Sequence, residues 1–171
     1  MIIIVMGVAG VGKTTIGSML AEQLGWQFFD ADNFHPPENV QKMANNIPLT
    51  DEDRLPWLHA LHGLIVGLES RHISAVIACS ALKASYRHIL VHGVKQVYFV
   101  YLKAPVDVVA DRLRTRRGHY MGVALLTSQF LTLEEPEDAL IVDATQSPQD
   151  IVMAVTQALG LSTSSCKTSS Q

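Results

Sequence analysis

The sequence is poor in cysteine and in long apolar runs. Its two cysteines, Cys79 and Cys166, are too few and too far apart for a disulfide framework or a zinc site. We therefore expect a reducing, cytoplasmic location. No segment approaches the roughly 18 consecutive apolar residues of a membrane-spanning helix, and the apolar start lacks the basic leading segment of a signal peptide. These absences predict a soluble protein without a membrane partner.

Net charge is small as well. The chain has 13 Lys+Arg residues against 16 Asp+Glu residues, which gives a formal net charge of -3, and its pI is near 6.1. Because nucleic-acid-binding domains carry a basic surface, we expect no nucleic-acid partner. The apolar fraction of 48% excludes a disordered chain. A chain of 171 residues can bury about two thirds of its unfolded surface, so it needs no disulfide or metal for stability.

Short apolar runs alternate with helical patterns along the chain. The first run, 2–6, is continuous and is followed at once by glycine, which is typical of a parallel strand covered on both faces. Pro56 fits the first turn of a helix better than its interior, so the longest helix is predicted to begin near Leu55. Between 34 and 50 we expect short helical turns and loop. The predicted strands are 2–6, 27–30, 73–78, 96–102 and 140–142, and the predicted helices are 14–24, 55 to about 68, 85–91, 106–115, 124–131 and 149–159.

This order of elements predicts an α/β fold with three layers, in which helices cover both faces of a five-stranded parallel sheet. We expect a single domain over residues 1–161, followed by a flexible tail at 162–171 that is rich in Ser and Thr. In such sheets the ligand binds at the carboxyl ends of the strands. The polar clusters of this sequence follow the ends of predicted strands.

The clearest motif, Gly7 to Thr14, matches G-x-x-x-x-G-K-[ST] between a predicted strand and a predicted helix. Glycines let successive N–H groups point at phosphate oxygens, and the helix N-terminus adds partial positive charge. Lys13 can then reach the outer phosphates of ATP, and the Thr14 hydroxyl can bind Mg²⁺. An ordinary glycine turn is the alternative. The predicted ATP-binding residues of this phosphate-binding loop (P-loop) are Gly7, Val8, Ala9, Gly10, Val11, Gly12, Lys13, Thr14 and Thr15.

Two aspartates follow the second predicted strand. In extended geometry Asp30 and Asp32 would point to the same side of the chain, where their charges repel unless a cation or a substrate hydroxyl lies between them. One carboxylate could hold water on Mg²⁺ while the other accepts the proton of an attacking alcohol. The alternative is that both cap the next turn.

Several basic residues could bind an anionic substrate. Arg54 ends an acidic run that otherwise favours a helix N-terminus, and its forked guanidinium suits a carboxylate better than a lysine does. Lys83 and Arg87, after the third strand, are further candidates, although each could be a surface charge. The histidines, His35 among them, lack metal-ligand spacing and are predicted as surface or packing residues. Cys79 is predicted as a small buried residue.

Four arginines are concentrated at the end of a predicted helix: Arg112, Arg114, Arg116 and Arg117. Arg112 and Arg116 share a helix face, and a predicted hinge follows at Gly118. A mobile lid of this kind, at about 112–135, would neutralise charge on a phosphoryl group in transfer and exclude water. A basic helix end that complements the helix dipole accounts for only one or two of the arginines.

Taken together and in this order, these segments resemble the gluconate kinases (gluconokinases), small P-loop kinases related to shikimate kinase and the nucleoside monophosphate kinases. The resemblance covers about residues 1–160. It implies transfer of the γ-phosphoryl of ATP to the 6-hydroxyl of D-gluconate, with Mg²⁺ as cofactor and a homodimer as the assembly. The segments that carry it are 7–14, 30–36, 48–58, 79–87, 118–121 and 128–134.

The resemblance also implies roles for individual residues. Asp32 would orient or deprotonate the substrate hydroxyl, and Asp30 would join Thr14 near Mg²⁺. Arg112 or Arg116 would close on the nucleotide. The implied catalytic residues are Lys13, Asp32 and Arg116, and the implied substrate-binding residues are Asp32, Arg54, Lys83, Arg87, His119 and Gln129.

The sequence departs from the family pattern at two positions. Tyr120 stands where Phe is expected, and Cys79 stands where a second nucleotide motif would offer Asp, which leaves the second Mg²⁺ ligand open. A kinase for shikimate or a nucleotide is an alternative on the same fold. A nucleotide-binding switch or adaptor is an alternative of another class, although the Asn-Lys-x-Asp run of guanine-binding switches is absent from the sequence.

Overall fold

The computed structural model describes residues 1–115 and 123–161. The strands are β1 Ile2–Met6, β2 Gln27–Asp30, β3 Ala75–Ala78, β4 Val97–Lys103 and β5 Leu140–Asp143. The helices are α1 Lys13–Leu24, α2 Pro37–Ala44, α3 Asp51–Ser70, α4 Ala84–Val91, α5 Val106–Thr115, α6 Val123–Thr132 and α7 Pro148–Ala158, and a 3-10 turn, Ala31–Phe34, follows β2. None of the described helices is both long enough and apolar enough to cross a membrane.

The five strands form one parallel sheet in the order β2-β3-β1-β4-β5. Strand β1 lies in the middle, with Ile2 paired to Ala75 of β3 and to Val97 of β4. The predicted parallel sheet is therefore confirmed. Since all strands run the same way, the P-loop after β1, the turn after β2 and the loop after β3 meet at one edge of the sheet.

Helices cover both faces of the sheet, which confirms the predicted three layers. Every side chain of β1 is buried, and alternate residues point to opposite faces. Ile3 and Val5 belong to a core with side chains of α1 and α7. Ile2, Ile4 and Met6 belong to a second core with side chains of α3 and α4, among them the fully buried Trp57. A strand buried on both faces has no need of polar residues, which explains the continuous apolar run.

Helix α3 begins at Asp51, so the predicted start near Leu55 is wrong. The Thr50 side chain accepts a hydrogen bond from the Asp53 N–H, and the Asp53 carboxylate accepts one from the Thr50 N–H. This reciprocal capping box satisfies the first free N–H groups of the helix. Pro56 therefore lies inside the helix, where it lacks the N–H that would bond to the carbonyl of Glu52. The earlier start places Arg54 in the first turns of α3.

Strand β3 starts later than predicted. The Ile73 N–H donates to the carbonyl of Leu68 at 2.9 Å and so closes the end of α3 instead of joining the sheet. The region 34–50 also holds more regular structure than short turns, because α2 occupies Pro37–Ala44 with Pro37 at its first position. The other predicted strands and helices agree with the structure within one or two residues.

Candidate active site

The P-loop curls at its glycines, as the motif predicts. Gly7, Gly10 and Gly12 have φ values of 143°, 81° and 113°, which lie in the range that favours glycine. A Cβ atom at Gly10 would lie 2.6 Å from Cγ of Leu113, so α5 packs directly against the loop. Lys13 Nζ donates to the Val8 carbonyl at 3.0 Å. The loop leads into the N-terminus of α1, where exposed N–H groups and the helix dipole favour an anion.

The first turn of α1 is joined to the end of β2. Thr14 Oγ1 donates a hydrogen bond to Asp30 Oδ2 at 2.8 Å. A hydroxyl and a carboxylate oxygen are ligands that Mg²⁺ prefers, and Mg²⁺ commonly takes only one or two protein ligands beside water and phosphate. Within 1–115 and 123–161, no group of three or more His, Cys, Asp or Glu side chains could hold a metal ion. Thr14 and Asp30 therefore fit a Mg²⁺ ion that is completed by nucleotide oxygens.

The two aspartates do not share one extended face, and that prediction is wrong. Strand β2 ends at Asp30, whose Oδ1 accepts a hydrogen bond from the Asp32 N–H at 3.0 Å. Asp32 consequently lies in the 3-10 turn, with its side chain exposed. One oxygen of Asp30 caps the turn, as the alternative prediction has it, and the other accepts the hydrogen bond of Thr14. The capping bond holds the Asp32 main chain next to Asp30, which in turn contacts Thr14 at the end of the P-loop.

A cationic cluster, made of Arg54, Lys83, Tyr86 and Asp51, joins the start of α3 to the start of α4. Lys83 Nζ lies 2.8 Å from Asp51, and the Tyr86 hydroxyl also donates to Asp51. The Arg54 guanidinium carbon lies 5.7 Å from the Tyr86 ring centre. These hydrogen bonds, Lys83 before Tyr86, lower the pKa of Asp51, while burial and then the bond to Asp51 raise the pKa of Tyr86. Asp51 therefore stays ionised.

Arg54 differs from the other members of the cationic cluster in one respect. Its Nε is the one buried side-chain nitrogen or oxygen atom, among the described residues, without a hydrogen-bond partner. A buried guanidinium N–H without an acceptor is costly, so this atom marks a place for an acceptor atom of a ligand. The structure thus brings Arg54 and Lys83, two predicted substrate-binding residues, to the same tyrosine ring, at 5.7 and 5.6 Å from its centre.

Arg87, a third predicted substrate-binding residue, is buried. One terminal nitrogen donates to the carbonyls of Ala81 and Leu82, at 3.0 and 3.1 Å. Burial lowers the pKa of Arg87. The bonds hold Ala81 at a φ of 43°, which is uncommon for a residue with a side chain. Arg87 therefore fixes the loop that presents Lys83 to the site.

Two predicted site residues from α5 and α6 contact the P-loop directly. Gln129 Oε1 accepts a hydrogen bond from the Ala9 N–H at 2.7 Å. Arg112 donates to the Val11 carbonyl at 3.0 Å and to the Ala144 carbonyl at 2.6 Å. Arg116 and His119, and with them the middle of the predicted lid, lie outside the described residues, as does the tail at 162–171.

His35, predicted as a surface or packing residue, lies next to the site. Its ring stacks on Trp57 with centroids 4.4 Å apart and planes 10° apart. Burial, and then the charge of Arg54, lower the pKa of His35 to about 4. The signal in the sequence was its position directly after the turn that carries Asp32. Cys79 is buried as predicted, and burial raises the pKa of its thiol to about 12, which excludes a nucleophilic role.

Comparison with known proteins gives consistent results. Residues 9–159 match the sequence model of the family described as Shikimate kinase. The chain is 40% identical over 162 residues to the thermoresistant gluconokinase of Escherichia coli (strain K12), which covers 92% of this chain and 93% of that one. It is 40% identical over 178 residues to a probable gluconokinase of Mus musculus, covering 92% and 97%. Among solved structures, a gluconokinase from Sinorhizobium meliloti 1021 superposes with a TM-score of 0.84 at 42% identity, covering 92% and 90%.

Proposed function

Because the chain belongs to the gluconokinase family, within the wider group of shikimate-kinase-like enzymes, we propose that it transfers the γ-phosphoryl group of ATP to the 6-hydroxyl of D-gluconate. The products are 6-phospho-D-gluconate and ADP. The observation that carries the proposal is the arrangement of two sites at one edge of the sheet. A P-loop with Thr14 bonded to Asp30 lies on one side, and Arg54 with an unpartnered buried N–H lies on the other.

The nucleotide side of the site is made by the P-loop. Its main-chain N–H groups, and those at the start of α1, bind the phosphates of ATP. Lys13 would neutralise charge on the outer phosphates, and Thr14 and Asp30 would hold Mg²⁺. When bound, the ion offsets the negative charge of the β- and γ-phosphates. Arg112 and Arg116 complete the nucleotide site from the lid.

The acceptor side takes the sugar acid. Arg54 binds the gluconate carboxylate through its fork of donors, and Lys83, Arg87, His119 and Gln129 are the other proposed contacts. Asp32 accepts the hydrogen bond of the 6-hydroxyl, orients it toward the γ-phosphoryl group and takes its proton as transfer proceeds. Because phosphoryl transfer needs little covalent work from the protein, most of the acceleration comes from positioning and charge stabilisation.

The finer properties of the protein follow from the family analogy. We propose Mg²⁺ as the required ion, a cytoplasmic location and a homodimeric assembly. The identity of about 40% to gluconokinases favours gluconate over shikimate or a nucleotide as acceptor. The acceptor side, with its buried unpartnered donor, favours an enzyme over a nucleotide-dependent switch or adaptor.

An acceptor panel tests the proposal. Purified protein with ATP and Mg²⁺ is given gluconate, shikimate, a nucleoside monophosphate or no acceptor, and ADP formation is measured. We expect gluconate alone to stimulate ADP release well above the rate without acceptor. Stimulation by shikimate or a nucleotide but not by gluconate would overturn the assignment, and an acceptor-independent slow rate would favour the switch.

A further inference from the structure

The side chain of Asn39 is fixed in one orientation beside His35. Asn39 is buried, and its side-chain nitrogen lies 2.7 Å from the main-chain carbonyl oxygen of Asp53 and 3.3 Å from Nδ1 of His35. A carbonyl oxygen only accepts hydrogen bonds, so the atom that faces it must be the NH₂ group of Asn39. Asp53 is itself held by Lys42 at 2.7 Å and by the Thr50 N–H. The second hydrogen of the NH₂ group is then donated to His35.

This contact determines where His35 carries its hydrogen. Because Nδ1 accepts from Asn39, the neutral ring must be protonated at Nε2. With Nδ1 occupied by Asn39, Nε2 is the ring nitrogen that carries the N–H donor. Burial and the charge of Arg54 keep the pKa of His35 at about 4, so the ring is neutral near pH 7. His35 therefore offers one N–H donor, in a fixed tautomer, to a ligand.

The ring of His35 lies close to two residues of the proposed acceptor side, Asp32 and Arg54. The stack on Trp57 of α3 sets the plane of the ring, and Trp57 is itself anchored by a hydrogen bond from its Nε1 to the Ala31 carbonyl at 2.7 Å. The His35 main chain follows the turn of Asp32, to whose carbonyl its N–H donates at 3.4 Å. Arg54 lies one turn before Trp57 on the same helix. His35 is thus next to both the proposed base and the proposed carboxylate-binding residue.

We propose that His35 is a specificity-determining residue of the acceptor site, which donates a hydrogen bond from Nε2 to a hydroxyl oxygen of the sugar acid while Arg54 binds the carboxylate. This inference rests on the proposed function. A neutral N–H donor suits a hydroxyl oxygen, because it adds no further positive charge that would draw the carboxylate away from Arg54. A site that donates to a substrate hydroxyl also discriminates against analogues without it.

Two amide variants separate the two nitrogens of the ring. In His35→Asn the amide oxygen can still accept from Asn39, but no donor reaches the position of Nε2. In His35→Gln the longer amide returns an NH₂ group to that position. Both variants lose the stack on Trp57, so each is the structural control of the other. KM for gluconate, KM for ATP, kcat and the midpoint of thermal unfolding are measured for both.

We expect His35→Asn to raise KM for gluconate about tenfold and His35→Gln to raise it less than about threefold, with KM for ATP nearly unchanged in both. An equal rise in the two variants, no rise in His35→Asn, or a parallel rise in KM for ATP would overturn the proposal. If the amide variants do not fold, His35→Phe keeps a flat ring on Trp57 and decides the question, since an unchanged KM for gluconate would then contradict it.

Failure of the proposed function is visible separately. If wild-type protein uses another acceptor from the panel, gluconokinase activity is excluded, and the same variants are compared with the acceptor that the protein does use. A higher KM for that acceptor in His35→Asn than in His35→Gln would still support the donor role of Nε2, and equal values would refute it.

Discussion

Thr14 Oγ1 donates to Asp30 Oδ2 at 2.8 Å, which joins the first turn of α1 to the carboxyl end of β2. The two residues come from different strand ends, and they meet because all strands of the sheet run in one direction. Both oxygens are suited to Mg²⁺, and their spacing allows one ion to contact both. The P-loop and the turn that carries Asp32 are therefore linked through this pair.

The Thr14 hydroxyl is testable by two substitutions. Thr14→Val removes the oxygen and keeps the branched shape, and Thr14→Ser keeps the oxygen. We expect Thr14→Val to lower kcat at least about tenfold and to raise the Mg²⁺ concentration for half-maximal activity, whereas Thr14→Ser stays close to wild type. Titration of activity with Mg²⁺ measures both effects. Equal Mg²⁺ dependence in the two variants would remove Thr14 from the ion site.

Lys13 and Asp32 are expected to act on different steps. Lys13→Ala should abolish both nucleotide binding and turnover, because it removes the positive charge that offsets the outer phosphates. Asp32→Asn should lower kcat about hundredfold or more while ATP affinity changes less than about threefold, because it removes only the proton acceptor. Calorimetric titration with a non-hydrolysable ATP analogue gives the affinities. Lys103→Ala, at an exposed ion pair with Glu135, is the control for loss of a lysine. Equal losses of ATP affinity at the two site residues would contradict these roles.

The fork of Arg54 distinguishes it from a simple positive charge. Arg54→Lys keeps the charge but loses the planar donors and the Nε that has no partner. We expect KM for gluconate to rise about tenfold or more, with KM for ATP unaffected. Arg71→Lys, at the exposed end of the same helix, should leave both KM values unchanged. Steady-state kinetics in both substrates decides the result, and a normal KM for gluconate in Arg54→Lys would place the carboxylate elsewhere.

Gly10 and Gly63 form a matched pair of glycines. Gly10 has a φ of 81° and no room for a Cβ beside Leu113, whereas Gly63 lies in α3 with open space around it. We expect Gly10→Ala to lower the free energy of unfolding by about 2 kcal/mol or more and Gly63→Ala to raise it by about 0.5 to 1 kcal/mol. Urea denaturation measures both. A neutral effect at Gly10 would mean that α5 can withdraw from the P-loop without loss of stability.

His35 gives the stability a defined pH dependence. Burial, and then Arg54, lower its pKa from 6.5 to about 4, so below pH 6.5 the unfolded chain binds a proton that the folded chain does not. This contribution to the free energy of unfolding is complete above pH 6.5 and is lost as the pH falls toward 4. Since His35→Phe cannot titrate, acidification should shift relative stability toward the variant. Urea denaturation at about pH 7.5 and about pH 5 measures the shift, and a constant difference would contradict the lowered pKa.

The sheet, the layers and the P-loop could be predicted because they depend on local patterns. A strand that is buried on both faces must be apolar throughout, and a loop that binds phosphate needs glycine at fixed positions. The start of α3 was predictable in principle, since Thr50 and Asp53 have the spacing of a capping box. Pro56 indicated a later start, but it was the weaker signal. The capping box adds two hydrogen bonds at the helix N-terminus, whereas Pro56 costs the helix only one.

The side-chain environment of the site could not be predicted in the same way. The role of His35 depends on Trp57 and Asn39, which come from α3 and α2 and meet it only in the folded chain. The arrangement of Asp30 and Asp32 depends on whether the strand or the turn continues through them, and the hydrogen bond from the Asp32 N–H to Asp30 decides for the turn. Arg87 looked like a free cation in the sequence, yet in the folded chain it is buried and donates to the main-chain carbonyls of Ala81 and Leu82.

The side chain of Gln129 occupies the Ala9 N–H of the P-loop, and it would compete with a nucleotide phosphate for this donor. A nucleotide oxygen that accepts from this N–H must first displace the Gln129 side chain. The measured ATP affinity would then contain the free energy of breaking the Gln129 bond. Release of Gln129 and binding of the nucleotide would then be a single exchange, which couples the position of α6 to occupancy of the P-loop.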